Sequence, residues 1–168
     1  LFDLGMGTGK VALQSFLDYP NLETVVGIEI AFSRYRIAEN SILNILRERP
    51  LEFQLLSWTQ GKHIKIETGW ERTLNRKRRC LEFRWGNFLA IENEIKSIEN
   101  LIIICETEIK SNDSFLKFWS LILNTHRSSK LLTYHNIEKL WCTTTTSSTK
   151  KNLFPFSQLP INKQENDR

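Results

Sequence analysis

Three glycines on alternate positions, Gly5, Gly7 and Gly9, interrupt the string DLGMGTGK from Asp3 to Lys10. Glycine there lets the chain turn tightly and lets a ligand reach the backbone with no Cβ in the way. A phosphate loop of the GxxxxGK kind, with a hydroxyl after the lysine, would need glycine where Leu4 stands and Ser or Thr where Val11 stands. A dinucleotide loop of the GxGxxG kind would need its third glycine at Lys10, although that loop does vary. About twenty residues on, Glu29 closes a β-branched run, where a carboxylate can accept both hydroxyls of a ribose. Together they select an adenosine-type ligand without a pyrophosphate, whose zwitterionic amino-acid tail packs along the turn; S-adenosyl-L-methionine fits best. The structural alternative is a turn shaped for helix packing and a Glu that merely ends a strand. The agreement of spacing and strand context favours the ligand.

These residues need a strand, a turn and a helix to position them. LFDL supplies the strand, and Val11, Leu13, Phe16 and Leu17 make a helix face that ends near Pro20. ETVVGIEI is the second strand, followed by a helix with Ile37, Ser41, Ile42 and Ile45 at helical spacing, stopped by Pro50. CLEFRW, NLIIIC and KLLTYH then read as further strands, with DSFLKFWSLILNTH as a helix among them. Strands alternating with helices imply a mostly parallel sheet covered on both faces. From Lys139 onward, KLWCTTTT and NLFPFSQL around a polar SSTKK turn predict a terminal antiparallel hairpin, with Pro155 on an edge strand. We expect one domain over residues 1–160, with a basic insertion near 50–80, and a disordered tail over 161–168.

The 168 residues are 40% hydrophobic and 25% charged, and the longest apolar run, Leu101 to Cys105, is too short to cross a bilayer. Three widely separated cysteines and three histidines without ligand spacing argue against a disulfide framework or zinc site and for a reducing compartment. The chain opens on Leu1 and reaches its glycines before a preceding element could be complete, so we expect further sequence ahead of it. Its net charge of +4 is concentrated: from Lys62 to Arg79 seven basic residues face two acidic ones. Arg72, Arg76, Lys77, Arg78 and Arg79 form the densest part, a solvated loop or a docking site for DNA or an acidic protein face.

FDLGMGTGKVALQ followed by VVGIEI resembles the first two motifs of class I S-adenosylmethionine-dependent methyltransferases, and GNFL at Gly86 to Leu89 resembles their adenine-edge motif. Within that class the strings are most similar to the histone H3 lysine methyltransferases that lack a SET domain, the disruptor-of-telomeric-silencing type. The resemblance runs from Leu1 to about Asn136. It implies a Rossmann-like α/β sheet, mostly parallel with a C-terminal antiparallel hairpin, a nuclear location, and histone H3 or the nucleosome as partner. It assigns Asp3, Gly5, Gly7, Thr8, Gly9 and Lys10 to the cofactor's methionine tail and loop, Glu29 to its ribose, and Asn87 and Phe88 to its adenine. Family members usually carry aspartate where Asn87 stands; an amide oxygen can still accept from the adenine amino group. After the fourth strand the family pattern has asparagine and phenylalanine, whereas this chain reads CETEI, with Glu106 nearest the asparagine position as the catalytic candidate.

Methyl transfer from a sulfonium is an in-line displacement, which asks the protein for alignment and exclusion of water. A lysine acceptor, with an ordinary pKa of about 10.4, must lose a proton before attack. Glu106 could hold the amine or help remove that proton, although its charge also favours the unreactive ammonium. Three other readings stay open: a degenerate domain that binds cofactor or partner without turnover, a nicotinamide-dependent oxidoreductase, and a methyltransferase acting on nucleic acid. The Asp/Asn-Pro-Pro-aromatic turn of amide and adenine methyltransferases does not follow the fourth strand.

Overall fold

A computed structural model of the chain describes residues 1–69, 77–96, 98–126 and 128–133. The expected terminal hairpin, Pro155, the tail over 161–168, and Arg72 and Arg76 lie outside the described residues.

The turn after β1 (Phe2–Leu4) leads into α1 (Lys10–Asp18), β2 (Thr24–Glu29) and α2 (Phe32–Glu48). Two strands not expected from the sequence follow, β3 (Phe53–Thr59) and β4 (His63–Thr68), and then β5 (Cys80–Trp85). A 3₁₀ turn at Phe88–Ile91 runs into the short α3 (Glu92–Ile95), followed by β6 (Ile102–Cys105), α4 (Asn112–Leu123) and β7 (Lys130–Thr133). Among the described residues the strands form one mixed, mostly parallel seven-stranded sheet in the order β3-β4-β5-β2-β1-β6-β7. The pairs β5–β2, β2–β1, β1–β6 and β6–β7 are parallel, while β3–β4 and β4–β5 are antiparallel. No helix among them is long and apolar enough to cross a membrane.

Part of the segment read as a basic insertion is thus woven into the sheet. In HIKIET, Ile64 and Ile66 are fully buried, while Lys65 points to the other face and meets Glu82 at 3.5 Å. That alternation and the left-handed Gly61 (φ 72°) between the two runs are a hairpin signal. A register irregularity between Leu55 and Ser57 bends the edge strand β3.

The core collects Phe16 and Ala12 of α1, Tyr35, Ala38 and Ile42 of α2, and Ile64, Ile66, Leu81 and Phe83 of the sheet. Both helix faces are rotated from the expected ones. Val11 and Leu17 are exposed on α1 and Ile37 on α2, and the buried line of α2 is Tyr35, Ala38, Glu39 and Ile42. Glu39 can be buried because a distant element supplies its donors. Its Oε1 accepts from the Gly61 N–H at 2.8 Å and from Trp58 Nε1 at 2.9 Å, and its other oxygen pairs with Arg36. One carboxylate therefore fastens the β3–β4 hairpin to α2. On the opposite sheet face Arg84 binds Glu94 of α3 through both oxygens, at 2.6 and 2.9 Å.

Candidate functional site

The carboxyl ends of β1, β2, β5 and β6 all open on one edge of the sheet. Chain order reverses direction between β1 and β6, and the crevice outside such a reversal is where open α/β sheets bind ligands.

The glycine turn forms one wall. Gly5, Gly7 and Gly9 have φ of 79°, 60° and 76°, a left-handed backbone that other residues adopt at a cost. The N–H groups of Gly5 and Met6 donate to the Ile28 carbonyl at 2.8 and 3.0 Å, which folds the turn over the end of β2. The three glycines have different reasons. A Cβ on Gly5 would lie 2.6 Å from the Thr107 Cβ, and one on Gly9 would lie 2.6 Å from the Phe83 ring, so packing demands both. A Cβ on Gly7 would meet nothing within 4 Å, so this glycine faces open space. Thr8 and Lys10 are exposed on the same turn.

Three carboxylates gather beneath it. Asp3 is 4% exposed and accepts from the Ala12 N–H in the first turn of α1, yet its Oδ2 is buried without a partner. Burial, and then the charges of Glu106 and Glu29, push its carboxyl up to about 7 despite the Ala12 bond. Glu106, just past β6, is exposed. Glu29 is 2% exposed: its Oε2 accepts from the Gly7 N–H at 2.8 Å, its Oε1 from the Ala31 N–H at 2.7 Å, and Arg34 Nε approaches to 3.8 Å. Glu29 therefore holds the turn closed, a task its sequence position does not reveal. A carboxylate has about four lone-pair sites, so two remain for further donors. The combination of a buried, unpartnered carboxylate oxygen, two neighbouring acids and an open-faced glycine suits a small cationic ligand. Among the described residues no group of His, Cys, Asp and Glu is arranged to hold a metal ion.

Asn87 and Phe88 lie at the same edge beyond β5, separated from β1 by β2. The Asn87 side chain accepts from the Leu89 N–H at 2.9 Å and caps the 3₁₀ turn, and the Phe88 ring stands edge-on to Phe118 of α4 at 6.0 Å. A groove of about 440 Å³ runs beside them, lined by Asn87, Leu89, Ala90, Glu92, Lys117 and Ser120. It adjoins the 3₁₀ turn and does not include the glycine turn.

Of the basic cluster, Lys77, Arg78 and Arg79 lie among the described residues, and each has a partner in the fold. Lys77 pairs with Glu23 at 2.7 Å and Arg78 with Glu67 at 3.0 Å. Arg79 stacks 4.5 Å from the centre of the Phe16 ring and donates to the carbonyls of Leu22 at 3.0 Å, Tyr19 at 3.1 Å, and Phe16. These residues precede β5, so they sit at the amino end of a six-residue strand whose carboxyl end faces the crevice, about 20 Å away. They line a groove of about 1060 Å³ that also contains Asp18, Glu23 and Glu52, acids and bases together.

No protein-family model matches the chain, and no curated protein matches it. Among solved structures, the large terminase from a thermophilic bacteriophage is similar at 14% identity and a TM-score of 0.39. That match covers 79% of this chain and 32% of the terminase chain, so the chain spans about a third of its length.

Proposed function

We propose that this chain binds S-adenosyl-L-methionine in the crevice between β1 and β6 and is the cofactor-binding part of a methyltransferase whose acceptor is a lysine side chain, with histone H3 the acceptor that its family resemblance implies. The observation that carries the reading is Asp3: a buried carboxylate with an unpartnered oxygen, beside the open-faced Gly7 and two further acids, fits a ligand carrying an ammonium and a sulfonium. Asp3, Gly5, Gly7, Thr8, Gly9 and Lys10 would hold its amino-acid end, Glu29 the ribose, and Asn87 and Phe88 the adenine. When bound, the group supplies an electrophilic methyl. The chain's own contribution is to attract the cation, to fix its orientation through the turn, and to offer Glu106 for holding or deprotonating an incoming amine. The order β5-β2-β1-β6-β7, parallel throughout, supports a Rossmann-like methyltransferase sheet, here extended by the antiparallel β3–β4 hairpin.

A binding-only reading has one observation in its favour. The Asn87 oxygen that would meet the adenine amino group already accepts from Leu89.

Gly7→Asn offers the binding test, because the added side chain projects into open space, asparagine tolerates the left-handed backbone, and the packed glycines Gly5 and Gly9 are untouched. Calorimetry should show S-adenosyl-L-methionine and S-adenosyl-L-homocysteine binding to the wild-type chain and at least tenfold weaker binding to the variant. Equal affinity, or no binding by either protein, refutes the assignment. Radiolabelled methyl transfer to nucleosomes, free histones, RNA and DNA then separates a lysine methyltransferase from one acting on nucleic acid and from a silent binding domain. Glu29→Ala is the poorer probe, since it also releases the N–H groups of Gly7 and Ala31.

A further inference from the structure

Beside the crevice, the rim of the sheet carries apolar surface that is rigidly held yet open to water. Ile30, Phe32 and Trp85 are 63%, 49% and 44% exposed. Trp85 is fixed by its indole N–H, which donates to the Ile30 carbonyl at 2.9 Å, and by its backbone N–H, which donates to the Lys62 carbonyl at 2.8 Å. Its ring meets Phe32 edge-on, with centroids 5.2 Å apart. Phe32 in turn lies against the hairpin tip, where a Cβ on Gly61 would stand 3.3 Å from its ring. Glu39 anchors that tip from below through Gly61 and Trp58. The rings are thus braced by the hairpin and α2 without being covered.

Two cations lie in the segments that hold them. Lys62, whose carbonyl accepts from Trp85, is exposed at the hairpin tip, and Arg34 of α2, whose Nε lies 3.8 Å from Glu29, has a side chain that is 57% exposed. Half-exposed rings held in place beside positive charge are what an unpaired base and its phosphates require: every base has a face to stack, and stacking on aromatic side chains tolerates any sequence. An acidic peptide would satisfy the charges and leave the rings bare. A duplex keeps its base faces inside its own stack. We propose that Phe32, Trp85, Arg34 and Lys62 form a docking platform for single-stranded nucleic acid, with a base on the Phe32–Trp85 pair and the backbone passing Arg34 and Lys62. The platform shares the sheet edge with the crevice, so a strand lying on it runs past Glu29. It needs no methyl donor, and it lies at the opposite end of β5 from Lys77, Arg78 and Arg79.

The test is fluorescence anisotropy of the whole chain with a labelled twelve-nucleotide single strand, as RNA and as DNA, a duplex of the same sequence, and polyglutamate, across a salt series. Single strands should bind at least tenfold tighter than duplex or polyglutamate and should quench tryptophan emission. Trp85→Leu keeps apolar bulk but cannot stack, and should weaken binding at least fivefold with the salt slope unchanged. The double variant Arg34→Gln, Lys62→Gln changes only exposed side chains and should lower the salt slope by about 1.4, at 0.7 for each lost phosphate contact on a single strand. Preference for duplex or polyglutamate, wild-type behaviour of both variants, or no binding at 50 mM salt overturns the proposal. If Trp85→Leu fails to fold, the salt slope of the double variant decides alone.

Discussion

Replacing Asp3 with asparagine should flatten the pH dependence of folding. The Asp3 carboxyl is raised from 3.8 to about 7, first by burial and then by the neighbouring charges of Glu106 and Glu29. The folded chain therefore keeps this proton up to about pH 7, whereas the unfolded chain releases it near pH 4. Between those values the folded state binds more protons, so stability falls as pH rises, and the loss is complete above pH 7. About three pH units at 1.36 kcal/mol each give a ceiling of about 4 kcal/mol, of which about 3 kcal/mol falls between pH 5 and pH 8. Asparagine keeps the shape and an oxygen for the Ala12 N–H while removing the charge. Urea unfolding of both proteins at pH 5 and pH 8 reads the effect of Asp3 together with its coupling to Glu106 and Glu29, because titrating groups remote from it cancel in the difference. The wild type should lose about 3 kcal/mol more than Asp3→Asn across that interval. Parallel stability curves would show that Asp3 is well solvated or otherwise compensated, and the cation-seeking crevice would lose its basis.

Gly5→Ala should unfold the chain or cost well over 2 kcal/mol, from left-handed strain plus the clash with Thr107, whereas Gly7→Ala should cost only about 1 kcal/mol, read as a difference in thermal midpoint. Glu39→Ala strands the buried Gly61 N–H and removes the acceptor of the half-exposed Trp58 indole, and should cost about 2 kcal/mol, with hydrogen exchange accelerating at Gly61 before it does in α4. Arg79→Ala should lower stability by about 1 to 2 kcal/mol through lost carbonyl bonds and ring stacking, while Lys77→Ala should leave the unfolding midpoint where it is. Equal effects from those two changes would return Arg79 to the surface.

The βαβα opening is legible in the sequence because its punctuation is local: three glycines end β1, and Pro20 and Pro50 follow the helices. Which face each helix buries is less legible. Helical spacing selects Ile37, Ser41, Ile42 and Ile45; Ile42 is buried, Ile37 is exposed, and the buried line also takes in Glu39, whose donors come from a hairpin about twenty residues away. The hairpin is hidden by its own composition. Counting charge over residues 62–79 averages Ile64 and Ile66 with the bases around them and erases a two-residue period. Charge counting likewise treats Arg79 as solvent-facing, when carbonyls from α1 and the turn after it receive its guanidinium. At the site, the glycines and Glu29 stand out by type and spacing, whereas the unpartnered oxygen of Asp3 depends on β6 arriving alongside β1.

That arrival has a cost in time. β1 is an interior strand, and while its first neighbour β2 is only about twenty residues away, its second, β6, begins a hundred residues later: Phe2 pairs with Val26 on one side and Ile103 on the other. During synthesis the strands from β1 to β5 can find one another while the open side of β1 still waits for its partner, and pairings this distant in sequence are slow to close. The crevice between β1 and β6 therefore cannot exist before β6 arrives. Asp3 lies beside an open strand edge until β6 docks, so its desolvation is deferred to that step, and a ligand that pairs with its carboxylate would favour it.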